Sequence, residues 1–392
     1  MKICFITSTV FNLGGVQRVA SVIASKLSEE HDVSIVCLSD EFPVDRAIYN
    51  LDKRVKVEIK TTLLSKKSFT RLIGRIGREI NNKTNLLNKK DMVSLTVNFY
   101  YPKQIQNRFI DYINSREFDI VVGVEGVYSI LLGVISDKLK AKTIGWQHNS
   151  YDAYLKNPFR YYWHQDEIFN KYIPKLDKYI VLNEYDKEMF KKNNNIDCHV
   201  ISNPRSFDSD IKSDVKSNNF FAAGRFEYQK GFDLLIEAFQ IFSTKNSEWN
   251  LTIVGEGKEK DTINNLIMKY NLNDRIKIEP FTKNIKKYFL NSSALLLSSR
   301  WEGMPMIVLE ALEMGVPTIA YDITAVKPLI TDGQQGLIVE KYDVSFYANA
   351  MLSIANNYEL RREMGLKSSA KSEEFSIENI KNNWNKIINE LF

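Results

Sequence analysis

The chain has 392 residues, of which 44% are hydrophobic, and a formal net charge of +5 at pH 7. This length favours two or three domains, and the apolar content suffices for two hydrophobic cores. Cys4, Cys37 and Cys198 lie apart in apolar segments, without the spacing of zinc ligands, which indicates small core residues in a reducing compartment. We find neither a secretion signal nor the roughly 18 consecutive apolar residues of a membrane span. We therefore expect a protein that is cytosolic or attached to the inner face of a membrane.

In the first half of the chain, apolar strand-like segments alternate with segments of helical periodicity. The predicted strands are 3–7, 33–37, 119–124, 141–146, 179–182 and 199–201. Such alternation is typical of a doubly wound α/β domain with a parallel sheet. The sequence therefore predicts a first Rossmann-like domain over residues 1–202.

The turn after the first predicted strand contains the glycine pair Gly14 and Gly15. Paired glycines let the backbone approach a ligand closely, although an isolated pair also occurs in tight turns that bind nothing. Neither this turn nor Gly255-Glu256-Gly257 supplies the third glycine of the Gly-x-Gly-x-x-Gly dinucleotide fingerprint. An oxidoreductase is therefore disfavoured.

The segment 60–90 is strongly basic, with nine Lys or Arg residues and one acid, a net charge of +8. Its apolar residues follow helical spacing and its basic residues share the remaining face: Phe69, Leu72, Ile73, Ile76 and Ile80 against Lys67, Arg71, Arg75 and Arg78. A basic amphipathic helix suits an anionic lipid surface, with about 1 kcal/mol for each basic residue near it. A helix docked on its own domain is the alternative, and Gly74 and Gly77 weaken the helix prediction. Nucleic acid is disfavoured because no recognition motif accompanies the charge.

Residues 203–219 contain few aliphatic side chains and many Ser, Asp and Lys, which predicts an interdomain linker. A second alternating series follows, with predicted strands 220–223, 251–254, 276–279, 294–298, 318–321 and 336–338. We assign a second Rossmann-like domain to residues 220–375 and a C-terminal helix to residues 376–392.

Two loops of the second domain carry groups that suit different parts of one ligand. Arg225 can donate two parallel hydrogen bonds to a diphosphate, and Lys230 adds a compact second charge. Glu302 and Glu310 can accept hydrogen bonds from paired hydroxyls of a sugar or a ribose. Together these groups describe a nucleotide-sugar site. A glycosidase with paired carboxylates would leave both cations without a substrate phosphate.

The motifs of the second domain resemble the signature of glycosyltransferase family 4. In family order they are Gly224-Arg225 with Lys230-Gly231, then Val254-Gly255-Glu256-Gly257, then Glu302 and Glu310, then Gly315-Val316-Pro317. The resemblance runs from Ile3 to about Phe375. It implies the GT-B architecture, in which two Rossmann-like doubly wound domains face each other across a cleft. It also implies an N-terminal acceptor domain, a C-terminal nucleotide-sugar donor domain, and a final helix that crosses back toward the N-terminal domain.

The same resemblance implies a role for each site residue. His148 follows a predicted strand and would orient the transferred sugar and stabilise charge in the transition state, although a lone histidine is commonly structural. Glu302 would contact the transferred sugar and Glu310 the ribose hydroxyls. The remaining donor-binding residues would be Gly15, Phe281 in the loop 280–285 at the base, and Gly303, Met304 and Pro305 at a predicted helix start that favours anions.

By resemblance, we expect a retaining transfer that needs no cofactor and no obligatory metal. Asp208-Ser209-Asp210 has the form of a metal-binding motif, but it lies in the polar linker, where we expect a solvated loop. A UDP-sugar is the expected donor, and guanosine and deoxythymidine carriers are also compatible. The expected acceptor is a polyprenyl-diphosphate-linked saccharide of a bacterial surface glycan such as a capsule. The basic segment would capture its diphosphate at the inner membrane face.

Two alternatives fit parts of this pattern. The same fold could serve a nucleotide-sugar epimerase or a transferase that uses a small soluble acceptor. A noncatalytic nucleotide-sugar-binding subunit of a glycan assembly complex is the alternative of another class. The presence together of Arg225, Lys230, Glu302 and Glu310 argues against it, since a degraded site would lose at least one of them.

Overall fold

The structure is a computed structural model that describes residues 1–65, 68–158, 160–282 and 284–392. These residues form two compact units, one of Met1–Asn203 with Ile377–Phe392 and the other of Pro204–Ser376. In each unit a parallel β-sheet is joined by helical crossovers. In the described ranges, no helix is both long enough and apolar enough to cross a membrane.

The sheet of the first unit is built from seven strands within the described residues. They are β1 Lys2–Thr7, β2 Asp32–Cys37, β3 Lys56–Ile59, β4 Ile120–Val124, β5 Lys142–Trp146, β6 Lys178–Val181 and β7 His199–Val200. Their order is β3-β2-β1-β4-β5-β6-β7, with every pairing parallel. The order reverses beside β1, and in doubly wound folds ligands bind at the carboxyl ends of the strands near such a reversal.

The helices of the first unit include seven before the crossover to the second unit and one at the C-terminus, within the ranges described. They are α1 Gly15–Leu27, α2 Ser68–Thr84, α3 Val93–Tyr100, α4 Lys103–Arg116, α5 Glu125–Ile135, α6 Asp166–Tyr172, α7 Glu184–Asn194 and the C-terminal helix, Ile377–Asn389.

The second unit has a six-stranded parallel sheet in the part of the chain that is described. Its strands are β8 Asn219–Ala223, β9 Asn250–Val254, β10 Ile276–Glu279, β11 Ala294–Leu297, β12 Thr318–Tyr321 and β13 Gly336–Val339, in the order β10-β9-β8-β11-β12-β13. Its helices are α8 Phe232–Ser243, α9 Lys260–Lys269, α10 Lys286–Leu290, α11 Met306–Met314, α12 Val344–Asn356 and α13 Tyr358–Ser372. The C-terminal helix that follows them is α14. The order reverses beside β8, which brings the carboxyl ends of β8 and β11 together.

Strand β3 has no counterpart among the predicted strands. It pairs only with β2, at the edge of the first sheet, and its side chains are exposed or half-buried. Its sequence, Lys-Val-Glu-Ile, alternates charged and aliphatic residues over four positions. Such an edge strand lacks the continuous apolar run that marks the buried strands.

The segment predicted as a linker, 203–219, is packed into the second unit except for Asn203. Arg205 is buried and contacts Glu313 of α11 at 2.8 Å, and Lys212 contacts the same carboxylate at 2.6 Å. Asp208 of the Asp-x-Asp sequence accepts a hydrogen bond from Arg205 at 2.7 Å. Ion pairs between polar side chains thus hold this segment in the second unit. The low aliphatic content of the sequence does not indicate such packing.

Helix α14 packs within the first unit. Trp384 is fully buried, with its ring 4.8 Å from that of Trp146 and 6.0 Å from that of Phe5. Lys381 contacts Glu30 of the segment after α1 at 3.0 Å. The aromatic cluster and the ion pair fix the C-terminus beside the first sheet.

Candidate active site

The loop between β8 and α8 displays Arg225 on its surface. Phe226 is fully buried and packs against Phe232, with ring centroids 5.2 Å apart, which anchors the loop. The Arg225 side chain is 66% exposed and contacts Glu227 at 3.3 Å. Surface pairs of this kind are weak, so the guanidinium can turn onto an anion at little cost.

Gly231 closes the same loop in a position that only glycine fits. Its φ is +64°, in the left-handed region, and an added Cβ would lie 2.2 Å from the carbonyl oxygen of Ser298. The Ser298 hydroxyl donates to the carbonyl of Lys230 at 2.9 Å, and Arg300 N–H donates to Gln229 at 2.7 Å. These contacts join the β8–α8 loop to the segment that follows β11.

Lys230 and Glu302 meet where these two loops join. The Lys230 ammonium lies 2.6 Å from Glu302 Oε1, and their side chains are 19% and 8% exposed. The Ser299 hydroxyl donates to the same oxygen at 2.7 Å. A largely buried carboxylate is thus held by one cation and one hydroxyl, and a predicted phosphate-binding cation lies beside a predicted sugar-binding carboxylate.

Glu310 differs from Glu302 in its setting. Helix α11 begins at Met306, so Glu302 precedes the helix and Glu310 lies within it, at a buried position. The two glutamates therefore do not lie on one helix. The intervening residues Gly303, Met304 and Pro305 are buried, and Pro305 is the N-cap of α11.

Arg300 and Asp233 support the loop, and the sequence analysis did not identify Asp233. Two Arg300 nitrogens donate to the two Asp233 oxygens at 2.9 and 2.6 Å, and one also donates to the carbonyl of Tyr228 at 2.7 Å. Burial alone would raise the pKa of Asp233, but the Arg300 hydrogen bonds lower it overall. An acid in a first helical turn is a common N-terminal signal, and it does not reveal this partner.

The expected base-binding loop follows β10. Phe281 is 43% exposed. Lys283 of the same loop lies outside the described residues. Contact of Phe281 with a base stays a prediction.

In the first unit, Gly15 is the first residue of α1. The preceding Gly14 N–H donates to the hydroxyl of Tyr49 at 2.8 Å, and this hydroxyl also lies 3.2 Å from the carbonyls of Asn12 and Gly14. Tyr49 thus fixes the glycine turn at the carboxyl end of β1.

His148 lies two residues after β5, at the same edge of the first sheet. Its ring is 4.2 Å from the Trp146 ring, and burial lowers the pKa of His148 to about 3. The Nε2 atom is buried and has no hydrogen-bond partner among the described residues. Burial therefore favours the neutral imidazole at physiological pH, and its Nε2 is open to a hydrogen bond.

Asp186 holds the segment after His148, and the sequence analysis missed it. Its Oδ1 accepts from Tyr151 N–H at 2.8 Å, and Asn183 Nδ2 donates to its other oxygen at 3.1 Å. Burial raises the pKa of Asp186 to about 7. In sequence it stands in the acidic, polar start of α7, where a solvated role is the ordinary expectation.

Helix α2 presents an unexpected face to solvent. Its large aliphatic side chains are exposed: Leu72 by 55%, Ile73 by 42%, Ile76 by 50% and Ile80 by 44%. Gly74, Gly77 and Asn81 are buried instead, and a Cβ at Gly77 would lie 2.4 Å from the Phe99 ring of α3. The glycines that weakened the helix prediction are thus the residues through which the helix packs.

The four predicted basic residues of this segment differ in their placement. Arg71 and Arg75 are exposed, whereas Arg78 donates to the carbonyl of Phe99 at 2.5 Å. Lys67 lies outside the described residues. Arg78 therefore has a structural role that the sequence did not predict.

The chain is similar in sequence to known glycosyltransferases. Residues 205–370 match a family described as glycosyl transferases group 1. An uncharacterized glycosyltransferase of Haemophilus influenzae is 26% identical over 396 residues, which cover 99% of each chain. The protein is a glycosyltransferase, and its second unit matches the group 1 family.

Two further likenesses concern the acceptor and the fold. A Campylobacter jejuni enzyme is 25% identical over 399 residues, covering 100% of this chain and 99% of its own. Its name is GalNAc-alpha-(1->4)-GalNAc-alpha-(1->3)-diNAcBac-PP-undecaprenol alpha-1,4-N-acetyl-D-galactosaminyltransferase. Staphylococcus aureus TarM, in a complex with fondaparinux, alpha-GlcNAc-glycerol and UDP, superposes with a TM-score of 0.76 at 17% identity and covers 99% of both chains. The glycosyltransferase thus has the predicted GT-B fold, with a doubly wound domain in each unit.

Proposed function

We propose that this protein is a retaining glycosyltransferase that moves a sugar from a UDP-sugar to a lipid-linked saccharide in bacterial surface-glycan assembly. The observation that carries the proposal is the contact of Lys230 with Glu302 at 2.6 Å, beside the exposed Arg225. Cations for a diphosphate and a carboxylate for sugar hydroxyls lie together at the carboxyl ends of β8 and β11, where doubly wound domains bind ligands.

The chemistry follows from the leaving group. Breaking the glycosidic bond leaves negative charge on the nucleoside diphosphate, and we assign its neutralisation to Arg225 and Lys230. This gives the cations the role that a divalent metal has elsewhere, so we propose a reaction without metal or other cofactor. Glu302 accepts hydrogen bonds from the transferred sugar, and the buried Glu310 accepts them from the ribose.

His148 has a role that its neutral imidazole permits. Its unpaired Nε2 can accept from, or donate to, a hydroxyl of the transferred sugar and so orient the sugar in the transition state. Burial lowers the pKa of His148, which favours the neutral imidazole at physiological pH.

The identity of the donor and acceptor rests on the relatives. TarM was solved with UDP, which supports uridine diphosphate as the carrier. The Campylobacter enzyme is named for an undecaprenol-diphosphate-linked acceptor, and it matches this chain over its full length. We therefore propose a polyprenyl-diphosphate-linked saccharide as the acceptor.

A lipid-linked acceptor requires access to a membrane, and α2 offers the surface for it. We define the α2 lipid surface as Leu72, Ile73, Ile76 and Ile80 with the exposed Arg71 and Arg75. Four large aliphatic side chains on one exposed helix face bury apolar area when the helix lies in a bilayer interface, and flanking arginines attract anionic headgroups. We propose that this surface holds the enzyme at the inner face of the cell membrane and brings the basic segment to the acceptor diphosphate.

A thermal-shift panel tests the donor assignment. UDP and UDP-sugars at about 100 times their dissociation constants should add about 2.7 kcal/mol of apparent stability, and UMP and uridine less, because they lack the diphosphate. UDP release from the same UDP-sugars should persist in EDTA. If neither UDP nor any UDP-sugar raises the melting temperature, while GDP or dTDP does, the carrier is misassigned; if none does, the donor site itself is.

A further inference from the structure

Glu125 occupies a position that glycine would be expected to fill. It is the first residue after β4, and its φ of +69° lies in the left-handed region, which costs a side-chain-bearing residue about 1 kcal/mol or more. The glycine of this turn is Gly126, the next residue. A glutamate thus occupies a position with a strained positive φ, which a glycine would adopt without strain.

Packing explains why the glycine stands at 126. A Cβ on Gly126 would lie 2.4 Å from the hydroxyl of Tyr162, and its N–H donates to the hydroxyl of Tyr154 at 3.3 Å. The two tyrosines thus fix the backbone of the turn and leave the Glu125 side chain at the carboxyl edge of the sheet.

Among the described residues, none donates a hydrogen bond to the Glu125 carboxylate. The Glu125 carbonyl, in contrast, accepts from the Ser129 hydroxyl at 2.9 Å. Burial raises the pKa of the Glu125 carboxyl. The side chain is half-buried, so its carboxylate oxygens can accept a hydrogen bond from an external donor.

The edge that holds Glu125 also holds the predicted reaction site of the first unit. Strands β4 and β5 are paired neighbours, with Val124 opposite Trp146, so the residues that follow them, Glu125 and His148, leave the sheet side by side. Tyr154 lies between the two turns, because its hydroxyl accepts from Gly126 N–H at 3.3 Å and also lies near the His148 backbone.

Tyr161 adds an exposed aromatic ring to this edge. Its side chain is 58% exposed, and its hydroxyl accepts from Asn149 Nδ2, next to His148, at 3.4 Å. Its N–H donates to the carbonyl of Ala153 at 2.9 Å, and its ring meets that of Tyr154 edge-on at 6.0 Å. These contacts hold the residue in place, although it is exposed.

We propose that Glu125 and Tyr161 form a subsite for a pyranose ring of the acceptor. The carboxylate accepts hydrogen bonds from ring hydroxyls, and the tyrosine packs on the apolar C–H face of the sugar, as aromatic groups with one polar end do at wet interfaces. The negative charge of Glu125 repels phosphate, so the subsite selects the neutral saccharide rather than the nucleotide. The ligand class rests on the proposed function, whereas the placement of the two side chains does not.

Variants at the two positions test the subsite. Glu125→Gln and Tyr161→Ala should raise the acceptor KM at least about tenfold for p-nitrophenyl glycosides that the wild type uses, whereas UDP binding and hydrolysis of the UDP-sugar by water should stay within about twofold. Tyr161→Phe keeps the ring and should stay close to wild type. Glu125→Gly should lose acceptor affinity equally but melt no lower than wild type, because it relieves the positive φ.

Glu117 provides a matched control, since it is an exposed glutamate with a φ of +53° at the opposite end of β4. Glu117→Gln and Glu117→Gly should leave the acceptor KM unchanged. Unchanged acceptor KM in both Glu125→Gln and Tyr161→Ala would overturn the subsite, and so would an equal loss of UDP binding and hydrolysis in these variants. Saturation-transfer NMR with the free glycosides measures binding to the subsite without any donor. If the wild type binds glycosides through Glu125 and Tyr161 but never releases UDP, only the proposed transfer is contradicted.

Discussion

At the scale of residues, the site of the second unit is built on one ion pair. Lys230 and Glu302 satisfy each other at 2.6 Å in a largely buried setting, and Arg225 is exposed. Removing one partner of a buried pair leaves the other uncompensated, whereas removing a surface cation leaves the fold intact. The two cations should therefore differ in their effect on stability even if both bind the diphosphate.

Arg225→Ala should weaken UDP binding by roughly 10- to 150-fold, the worth of a charge-assisted hydrogen bond, with little change in melting temperature. Lys230→Ala should weaken binding as strongly and also lower the melting temperature, because Glu302 loses its cation. Arg362→Ala is the matched control, since Arg362 forms a similar exposed pair with Glu359 at 3.5 Å. Calorimetric titration measures the UDP affinity of the three variants, and thermal unfolding gives their melting temperatures. Wild-type affinity in both Arg225→Ala and Lys230→Ala would contradict the diphosphate assignment.

The two glutamates should separate binding from turnover. Glu310→Gln should weaken binding of free UDP, because a ribose-binding carboxylate is lost. Glu302→Gln should bind UDP as well as wild type does but transfer sugar far more slowly, because its partner is the transferred sugar. Parallel titration and initial-rate measurements decide this, and a loss of UDP affinity in Glu302→Gln as large as in Glu310→Gln would reverse the two roles.

His148 should make the free energy of unfolding depend on pH. Its folded-state pKa is about 3, below the unfolded value of about 6.5, so the unfolded chain takes up a proton first on acidification. The contribution of this group is complete above pH 6.5 and is lost as the pH falls toward 3. Between pH 7.5 and 5.5 the loss should be about 1 kcal/mol.

Asp186 acts in the opposite sense over the same range, because its raised pKa of about 7 makes the folded state take up the proton. The comparison must therefore be between wild type and His148→Gln, which share Asp186. Urea unfolding at both pH values should show a smaller acid-induced loss in the variant, and an equal loss would show that His148 is not held neutral by burial.

Among the helices, α2 is unusual because its apolar face is exposed and its glycine face is packed. Its small residues face α3 and its aliphatic residues face solvent, so the apolar stripe contributes little to the fold. A stripe that does not stabilise the core should be removable without unfolding the protein.

Leu72→Ser with Ile76→Ser should weaken binding to vesicles of phosphatidylglycerol and phosphatidylcholine by at least about tenfold and leave the melting temperature nearly unchanged. Arg71→Gln with Arg75→Gln should weaken binding and flatten its salt dependence. Gly77→Leu is the control on the packed face and should lower the melting temperature, because the Phe99 ring occupies the space. Cosedimentation measures the binding, and vesicle binding that survives both pairs of changes would exclude the α2 lipid surface.

The sequence predicted those elements whose cause is local. Buried strands such as β11 read as continuous apolar runs, and Gly231 marks a turn that the structure shows only glycine can make. The edge strand β3 has no such run. The packing of α2 could not be predicted either, because an apolar helical stripe normally faces the core. Only the contact with Phe99 shows that the glycine face of α2 is the packed one.

Side-chain partners distant in sequence were equally hidden. Motif order predicted that Lys230 and Glu302 serve one ligand, but not that they contact each other. The support of Arg300 by Asp233 and the packing of Arg205 against Glu313 depend on which strands become neighbours. These pairings follow from the strand order, which is fixed by the whole chain.

At the scale of the whole molecule, the chain divides its chemistry between two units of the same class. The second unit holds the ion pair and the buried Glu310, and the first unit holds His148, the subsite of Glu125 and Tyr161, and the α2 lipid surface. Apart from Gly15 and His148, the residues proposed to bind the donor thus lie in the second unit, and those proposed to bind the acceptor lie in the first. Variants of the α2 lipid surface should accordingly leave UDP binding unaffected.

Transfer from a UDP-sugar to a lipid-linked saccharide can be assayed with purified components. Purified protein is incubated with a panel of UDP-sugars and detergent-solubilised undecaprenyl-diphosphate-linked saccharides, and UDP release is measured together with the mass of the lipid products. We expect the UDP released above the level of donor hydrolysis to be matched by a lipid product heavier by one sugar residue, and we expect Glu302→Gln to lose both signals together. No mass increase with any UDP-sugar, or a mass increase that Glu302→Gln leaves unchanged, would contradict the proposed transfer.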